Sequence, residues 1–448
     1  MKPRIVILVD NKKRDLPGSA LLAYYLEQHG IEVFLEPLEA WRACLAAHKP
    51  HMILFNHLLG SHLVKYTQEL HARGILVGVL PNEGILYDKE VLEFNAAKFH
   101  NHAHVDYFFV WNQAHKDAIE SGNDGSIRHV EIVGVPRFDF YFPPLAPKKT
   151  SSSPTILVCT NFVFAQYADK DPSVANKLFA PWKERVSSYR DYWKLIHTNH
   201  RSRKKFFEFL ESIRNSPKEY RFILKPHPGE DHEIYKRWYL KLSEEEKQRI
   251  RLDTESYIWE LIPQCDVEIA CETCTTTLES WIAGKPTIEL LLEKDPLFYH
   301  EFLSHMTLTC EIPSVLRNTI DQALDGNSEK PFESARREHL SKWCDTPSGH
   351  STEKLAQIIF RALQDTHPSF SGIDWNHQRK GFKLKLLSKL DLPYNYNPFS
   401  LSKFFNPKKY REKQRITEKN IRPSDVKKWK EKINTLMTKL EKDSLSES

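Results

Sequence analysis

A lysine and a histidine directly follow a hydrophobic run in the second half of the chain. Residues 220–224 are YRFIL, and the next four are Lys225, Pro226, His227 and Pro228. The run predicts a short buried strand, and the two prolines fix the path on which the chain leaves it. A cation and an imidazole at the carboxyl end of a strand suit a phosphate. The alternative is an ordinary turn with a surface lysine and histidine. This segment alone does not decide between a phosphate site and such a turn.

A second segment, residues 266–290, places hydroxyl groups at the start of a predicted helix. Its sequence, DVEIACETCTTTLESWIAGKPTIEL, reads as a buried strand, a cluster of threonines and a helix. Free N–H groups and hydroxyls at a helix N-terminus bind anions well, so Thr273, Thr275 and Thr276 are candidate phosphate ligands. Glu279 lies one turn inside the helix, where its carboxylate can accept hydrogen bonds from a ribose diol. A capped helix on a sheet explains each feature singly, but their joint order favours a nucleotide site.

These segments belong to a regular alternation of predicted strands and helices. In the first block we predict strands at 4–9, 32–35, 52–55, 75–80, 107–110 and 130–133, with helices at 17–30, 38–48, 61–73, 87–98 and 113–121. In the second block we predict strands at 155–159, 220–224, 250–252, 267–270 and 286–291, with helices at 201–215, 234–242, 256–262, 275–283 and 352–363. Such alternation predicts α/β doubly wound domains, each with a parallel sheet covered on both faces. The sequence PPLAPKKTSSSP, residues 143–154, reads as the linker between the blocks.

Polar side chains follow several strands of the first block. They include Asp10, His57, Asn82, Arg137 and Asp139. Binding sites of doubly wound domains lie beyond the carboxyl ends of the strands. Taken together, these residues predict one polar rim that forms half of a cleft, although surface polarity would explain each of them singly.

The composition is typical of a globular protein that stays in the cytoplasm. Hydrophobic residues make up 40% and charged residues 27% of the 448 residues, which is ordinary for such proteins. No apolar run approaches the roughly 18 to 20 residues that span a bilayer, and the N-terminal apolar run is too short for a signal peptide. The seven scattered cysteines fit a reducing compartment. Cys271 and Cys274 form a lone CETC, for which ordinary thiols are favoured over a zinc or redox site.

The C-terminal region, residues 366–448, differs from the rest of the chain in charge. It holds 19 Lys and Arg against 9 Asp and Glu, a net +10, so the first 365 residues carry −5 of the overall +5. A basic helix is predicted near 424–440, with Trp429, Ile433, Leu436 and Leu440 on one face. Two interpretations stay open: a terminal helix that packs on the body, and a basic amphipathic element on an anionic membrane surface. Nucleic-acid binding is less favoured, because no recognition motif accompanies the charge.

The order of these motifs resembles that of glycosyltransferases with the GT-B fold. The hydroxyl cluster, the early glutamate of the helix and the following Gly-Lys-Pro resemble a nucleotide-sugar site. The KPHP segment is similar to the HP motif of enzymes that use cytidine nucleotides. Over roughly residues 1–365 the chain resembles bacterial surface carbohydrate biosynthesis proteins, including the CMP-Kdo-dependent Kdo transferases of capsule and O-antigen synthesis. The remaining matching pieces are RDLPG at 14–18, NEG at 82–84, GVPRFD at 134–139 and TNF at 160–162.

The resemblance implies two Rossmann-like domains facing across a cleft. Residues 1–148 would form the acceptor domain and residues 149–365 the nucleotide-sugar donor domain, with 366–448 as a basic extension. In the donor domain Lys225 and His227 would face the donor phosphate, together with Thr275, Thr276 and the strand-end Asn161, and Glu279 would hold the ribose. Sites of this kind generally need no metal or other cofactor, and we find no carboxylate pair of the DxD kind placed to bind one.

Catalytic residues are expected from both domains. Glu83 is the first candidate for the base, because a carboxylate at a strand end flanked by Gly84 can reach into a cleft. In the related Kdo transferases an aspartate after the first strand of the second domain is the nucleophile, and Asp169 and Asp171 are the nearest residues here. Asn161 occupies the more obvious strand-end position, so the sequence leaves retention or inversion of configuration open.

The predicted function is transfer of a sugar from a nucleotide-activated donor, such as CMP-Kdo, to a surface-polysaccharide or lipid-linked acceptor. We expect no nucleic-acid partner, and we expect the basic extension to contact the inner face of the cytoplasmic membrane. Two alternatives remain: a glycerophosphotransferase that uses CDP-glycerol, and a non-catalytic assembly protein of a polysaccharide pathway.

Overall fold

The fold was obtained as a computed structural model, which describes residues 2–58, 60–82, 84, 102–183, 189–215, 219–396 and 419–446. The chain forms two compact units, Met1–Asp139 with Lys342–Ser448, and Phe140–Ser341. The predicted helix at 87–98 lies outside the described residues. In the described part of the chain no helix has the length and apolar character needed to cross a membrane.

Each unit contains one six-stranded parallel sheet. The strands of the first sheet are β1 (Arg4–Val9), β2 (Glu32–Pro37), β3 (Met52–Phe55), β4 (Leu76–Val79), β5 (Val105–Val110) and β6 (Ile127–Ile132). Those of the second are β7 (Thr155–Cys159), β8 (Arg221–Lys225), β9 (Ile250–Leu252), β10 (Val267–Cys271), β11 (Thr287–Leu290) and β12 (Leu308–Cys310). The strand orders are β2-β1-β3-β4-β5-β6 and β12-β11-β10-β7-β8-β9. Central strands such as β3, β7 and β10 are buried along their whole length, as is usual where helices cover both faces of a sheet.

Helices connect these strands and extend the chain beyond them. The α-helices are Leu16–Gln28, Trp41–His48, Ser61–Ala72, Gln113–Ser121, Pro172–Phe179, Tyr192–Arg214, Glu233–Leu240, Glu244–Arg249, Ile258–Leu261, Thr275–Ile282, Leu316–Asp325, Glu333–Cys344, Ser351–Leu363, Trp375–Lys389 and Pro423–Ser446. The prediction of two α/β doubly wound domains is therefore confirmed. Strand β12 and the helices Glu244–Arg249, Leu316–Asp325, Glu333–Cys344 and Trp375–Lys389 were not predicted.

The segment 163–200, for which no clear elements were predicted, contains the Pro172–Phe179 helix and the start of the Tyr192–Arg214 helix. Asp171 caps the Pro172–Phe179 helix by accepting from the backbone N–H of Ser173 at 2.8 Å. The long helix predicted at 201–215 begins earlier, at Tyr192, because Asp191 caps it there. Ala175, Phe179 and Ile196 form a small apolar cluster with neighbouring aromatic rings. The unusual aromatic content of this segment thus builds a local core.

The division of the chain differs from the predicted ranges at both ends of the second block. Residues 342–365 were assigned to the second domain, but the Ser351–Leu363 helix packs against the Leu16–Gln28 helix of the first unit. The Asp139 carboxylate accepts hydrogen bonds from the backbone N–H groups of Ser351 at 3.1 Å and Thr352 at 2.7 Å. Asp139 therefore supplies the N-terminal cap of a helix more than 200 residues away.

The basic tail also belongs to the first unit. The Pro423–Ser446 helix packs against the Leu16–Gln28 helix, with Trp429, Ile433 and Met437 buried. Lys430 donates to the Glu27 carboxylate at 2.6 Å. The interpretation of this helix as an element packed on the body is confirmed, because its apolar face is covered by protein.

We predict that Asp139→Ala lowers the free energy of unfolding by about 1–2 kcal/mol, because two helix N–H groups lose their acceptor. Asp139→Asn should lose less, since its amide oxygen still accepts one of these bonds. Denaturant unfolding of the purified chain measures both. Asp117→Ala, at an exposed aspartate of the same unit, is the control, and an equal loss in Asp139→Ala and Asp117→Ala would contradict the capping role.

Candidate functional site

The predicted donor residues of the second unit gather at the carboxyl edge of three adjacent strands, β10, β7 and β8. Asn161 follows β7 and donates from its side chain to the backbone oxygen of Glu272, after β10, at 3.2 Å. The backbone N–H of His227, after β8, lies 3.4 Å from the hydroxyl oxygen of Thr160. Hydrogen bonds therefore connect all three loops at the edge where doubly wound domains bind their ligands.

His227 is held in one tautomer. Its Nδ1 accepts a hydrogen bond from the backbone N–H of Gly229 at 3.0 Å, so in the neutral ring the proton is on Nε2. Burial lowers the pKa of His227 to about 4, helped by the nearby His232. At neutral pH the residue therefore presents an uncharged Nε2–H donor, and no described residue accepts a hydrogen bond from it.

Glu230 holds the His227 loop in place, and the sequence analysis missed it. Its buried carboxylate accepts from the hydroxyls of Thr160, at 2.5 Å, and of Tyr235. The backbone N–H of His227 donates to the same carboxylate at 3.2 Å. Burial raises the pKa of Glu230, against these hydrogen bonds. The signal was present in the sequence, as an acid three residues after the histidine of the KPHP segment.

Lys225 has protein partners that the sequence did not indicate. Its Nζ donates to the backbone oxygen of Ser256 at 2.6 Å and lies 3.8 Å from the carboxylate of Asp253. The side chain is buried. These contacts tie the end of β8 to the loop after β9, so Lys225 has a structural role, and its contact with a phosphate stays a prediction.

The turn between β10 and the Thr275–Ile282 helix has an unusual backbone. Glu272 and Thr273 have φ angles of 59° and 53°, in a region that residues other than glycine rarely adopt and that concentrates at functional sites. The N–H of Thr273 donates to the Glu289 carboxylate at 3.1 Å, and its hydroxyl donates to the backbone oxygen of Phe298 at 2.7 Å. The Thr273 side chain therefore holds this turn.

Cys274, the residue before the Thr275–Ile282 helix, makes no side-chain capping hydrogen bond, and no other described side chain accepts from the first N–H groups of this helix. An uncapped helix N-terminus carries partial positive charge and suits an anion. The hydroxyl of Thr276 is buried near the carboxyl group of Glu268, whose pKa it lowers. Of the two predicted hydroxyl ligands on this helix, Thr275 is therefore better placed than Thr276, at the first position of the helix.

Glu279 has a partner from a distant part of the chain. Its carboxylate accepts a hydrogen bond from the hydroxyl of Tyr141, and both residues are almost fully buried. This contact fixes the orientation of the carboxylate one turn inside the helix. Nothing in the sequence around Tyr141 indicated that role.

The two aspartates predicted as nucleophiles have other contacts. Asp169 is exposed and pairs with Arg203 at 2.7 Å, while Asp171 caps a helix. No hydrogen bond or ion pair of the described residues joins either carboxylate to Lys225 or His227. Their role in catalysis stays a prediction.

Cys271 and Cys274 are buried free thiols with pKa values raised by burial, which disfavours the reactive thiolate.

The first unit contains a pocket beyond the carboxyl ends of β1, β3 and β4, with a cavity volume of about 70 Å³. In the strand order, β1 connects to β2 on one side and borders β3 on the other, which is the switch point where such sheets bind ligands. Arg14, Asn56, Asn82 and Arg137 contribute polar groups to its lining, beside Trp111. Two of these, Asn82 and Arg137, were predicted on the acceptor side.

Asn56 is the unusual member of this pocket. It is 7% exposed, yet among the described residues neither its amide nitrogen nor its amide oxygen has a hydrogen-bond partner. Buried amide groups without partners are rare and costly. Arg137 lies nearby with its guanidinium 5.1 Å from the centre of the Trp111 ring, and it donates to the backbone oxygen of Asn82 at 3.2 Å. The pocket therefore offers a buried amide next to a positioned cation.

The remaining acceptor-side candidates are distributed as follows. The Asp10 carboxylate accepts from Lys419 of the tail at 2.7 Å. Burial lowers the pKa of His57, opposed by the charge of the nearby Asp10. Asp139 caps a helix, so both its oxygens have structural partners. Glu83, the first candidate for the catalytic base, lies outside the described residues.

One group of described residues has donor atoms close enough to hold a metal ion: Glu69, Asp374 and His377, within 4.8 Å of one another. Asp374 caps the Trp375–Lys389 helix and accepts from the backbone and ring of His377 at 2.9 Å each. Arg73 also pairs with Glu69, at 3.4 Å. Helix capping and ion pairing account for this group, and the expectation of a metal-independent reaction stays a prediction.

We predict that stability falls as pH rises from about 4.5 to about 8, because burial and neighbouring glutamates raise the pKa of Glu289 to about 8. A carboxyl whose folded pKa lies above its unfolded value stabilises below the unfolded pKa, and this contribution is lost as pH rises through the folded value. Glu289→Gln, which keeps an acceptor for the Thr273 N–H, should reduce that loss by a few kcal/mol. Denaturant unfolding at pH 5 and 8.5, conditions chosen to bracket the pKa, measures it. Glu244→Gln, at an exposed site, is the control, and identical pH profiles for both variants would contradict the prediction.

We predict that Asn56→Leu leaves the free energy of unfolding unchanged or raises it by about 1 kcal/mol, because it removes a buried amide without partners. Asn112 is a matched control in the same unit: it is 1% exposed, but its amide donates to the backbone of Gly84 and Trp343 and accepts from His115. Asn112→Leu should cost about 1–3 kcal/mol. Thermal and denaturant unfolding measure both, and an equal cost would show that Asn56 has a structural role.

Comparison with known proteins gives the fold but no family. No protein-family model matches the sequence, and no curated protein matches it. A structure assigned as a UDP-N-acetylglucosamine 2-epimerase from Listeria monocytogenes is similar over 84% of this chain and 100% of its own, with 12% identity and a TM-score of 0.51. S. aureus MnaA with UDP is similar over 82% of this chain and 99% of its own, with 13% identity and a TM-score of 0.48. Anabaena HepE with UDP-glucose is similar over 80% of this chain and 100% of its own, with 12% identity and a TM-score of 0.40. At these identities the likeness shows the fold alone, and the chain has two Rossmann-like domains of the GT-B type.

Proposed function

We propose that this protein is a glycosyltransferase that moves a sugar from a nucleotide-activated donor to a surface-polysaccharide or lipid-linked acceptor. One arrangement carries the proposal: at the edge of β10, β7 and β8, the Nε2–H of His227 accompanies an uncapped helix N-terminus and the oriented carboxylate of Glu279. His227 offers an uncharged hydrogen-bond donor for a phosphate, and the helix end offers partial positive charge. The carboxylate of Glu279 offers a hydrogen-bond acceptor for a ribose on the same sheet edge.

The donor would bind with its phosphate at the His227 loop and the start of the Thr275–Ile282 helix. Glu279, held by Tyr141, would accept hydrogen bonds from the ribose diol. In the reaction, the bond between the anomeric carbon and the phosphate oxygen breaks, and that oxygen keeps the electron pair. The N–H groups of His227 and of the helix would stabilise the resulting negative charge. A neutral imidazole serves as such a donor at all pH values above its pKa.

The acceptor would use the first unit. An oxygen of the acceptor forms the new bond to the anomeric carbon, and its proton passes to a base. The pocket that contains Asn56 and Arg137 would bind a polar or anionic part of the acceptor, because an amide without partners and a guanidinium both seek oxygen atoms. Glu83 remains the proposed base, on the sequence argument alone.

The donor is proposed to be a CMP-sugar such as CMP-Kdo, because the KPHP segment resembles the HP motif of enzymes that use cytidine nucleotides. CDP-glycerol is the second candidate on the same resemblance. UDP belongs in any test, since a structure of the same fold is assigned as an enzyme of a UDP-sugar. Product analysis separates the two cytidine candidates, because glycerophosphate transfer leaves phosphorus in the new linkage.

We predict that CMP raises the thermal stability of the chain more than UDP, GDP or ADP do. CDP is measured in the same panel. A ligand that binds only the native state at 100 times its Kd stabilises it by about 2.7 kcal/mol. His227→Ala and Glu279→Gln should remove most of the response. His305→Ala, at an exposed histidine of the same unit, should retain it.

The other outcomes decide between the alternatives. A response to UDP or GDP alone would keep nucleotide binding and discard the CMP-sugar. A response to CMP that His227→Ala does not change would overturn the proposed phosphate contact. No response to any nucleotide would overturn the enzymatic proposal and favour a non-catalytic assembly protein.

A further inference from the structure

The Trp375–Lys389 helix and Leu390, the residue directly after it, expose apolar side chains to solvent. Trp375 is 76%, Phe382 70%, Leu390 59% and Leu386 47% exposed. These four are among the large hydrophobic residues that are exposed in the described part of the chain. At 100° per residue, all four project within a sector of about 80°. We call these four residues the apolar stripe.

The opposite face of the same helix fixes its orientation. His377, Gly381, Leu384 and Leu387 are buried, and the helix packs against the Trp41–His48 helix. A Cβ added at Gly381 would lie 3.0 Å from atoms of Ala46 and Ala47, so the two helices approach closely. The helix therefore cannot roll to cover the apolar stripe without losing this packing.

Positive charge surrounds the apolar stripe. The segment 375–390 contains Arg379, Lys380, Lys383, Lys385 and Lys389 and no acidic residue. The flanking acids have partners within the unit: Asp374 bonds to His377, and Asp391 accepts from the backbone of Ser424 at 2.7 Å. Burial and the neighbouring cations, Arg42 among them, lower the pKa of Lys380, which agrees with a concentration of positive charge at this surface.

We propose that this helix is a docking surface for an anionic phospholipid membrane, with the apolar stripe inserted among the lipid headgroups and acyl chains. A basic helix with large apolar residues on one face, lying flat at the interface, has the chemistry that binds such surfaces. Lysine and arginine side chains beside the stripe can reach the phosphates while their methylene groups remain in the apolar layer. The stripe extends over about 22 Å along the helix axis, and a straight row of this length suits a flat surface of lipids.

This surface differs from the one expected from the sequence. The tail helix Pro423–Ser446 was the predicted membrane element, but its apolar residues Trp429, Ile433 and Met437 are buried in the first unit. The exposed apolar residues lie on the helix before it, docked on the body by its other face. The proposal does not depend on the donor proposed above, and vesicle binding is measured without nucleotide.

The test is co-sedimentation of the full chain with vesicles. We expect binding to vesicles of phosphatidylglycerol and phosphatidylcholine, and much weaker binding to phosphatidylcholine alone. The double variant F382S/L386S should reduce binding by about tenfold or more, since it removes half of the inserted stripe. Leu240→Ser, at a leucine of the other unit that is 73% exposed, should bind like the unchanged protein. Circular dichroism and thermal unfolding confirm that each variant is folded.

A charge variant tests the second element of the proposal. K385Q/K389Q should weaken binding to anionic vesicles, and raising salt from about 0.1 M to about 1 M, which shortens the Debye length from about 10 Å to about 3 Å, should weaken it further. Absence of binding to anionic vesicles, or equal binding by F382S/L386S, would overturn the proposal. A lipid-free dimer that F382S/L386S converts to a monomer would also overturn it, and would assign the stripe to a second copy of the chain.

Discussion

The buried carboxylate of Glu230 holds the candidate donor site together. It accepts hydrogen bonds from Thr160 after β7, from Tyr235 on the following helix and from the backbone of His227 after β8. Two neighbouring strand ends therefore share one acceptor, and the imidazole between them has a fixed position and tautomer. Without that acceptor, buried hydroxyl and N–H groups would lack partners at a cost of about 1–3 kcal/mol each. The position of the His227 backbone therefore depends on this connection.

Both units contain buried polar groups that a purely structural core would not need. In the second unit burial raises the pKa of Glu268 and of Glu272 to about 7, and the strained turn at Thr273 depends on a third buried acid, Glu289. In the first unit the amide of Asn56 has no hydrogen-bond partner among the described residues. Proteins retain such costs mainly where function requires them. Glu272 and Asn56 directly follow the central strands β10 and β3, at the edge where ligands of this fold bind.

The sequence predicted both sheets because central parallel strands are short continuous apolar runs, which here alternate with longer segments of helical period. It missed β12, and it missed the Glu333–Cys344 helix, whose surface is too polar to show a period. Only part of the candidate site was predicted, because sequence motifs are local and contacts between distant residues are not. Local motifs identified His227 and Thr275, but the partner of Glu279 is Tyr141, 138 residues away, and long-range partners leave no local pattern. Spacing alone also could not show that the Thr276 hydroxyl turns toward Glu268.

The two C-terminal helices show how a clear apolar period can mislead. The Pro423–Ser446 helix has one apolar face, and the protein itself covers that face. The Trp375–Lys389 helix has apolar residues on two opposite faces, so no single period stands out, and its sequence reads as irregular. One face is needed for packing on the Trp41–His48 helix, and the structure gives the other face no partner among the described residues. In a helix of this kind the apolar residues that remain after docking, rather than the strongest period, indicate a second interaction.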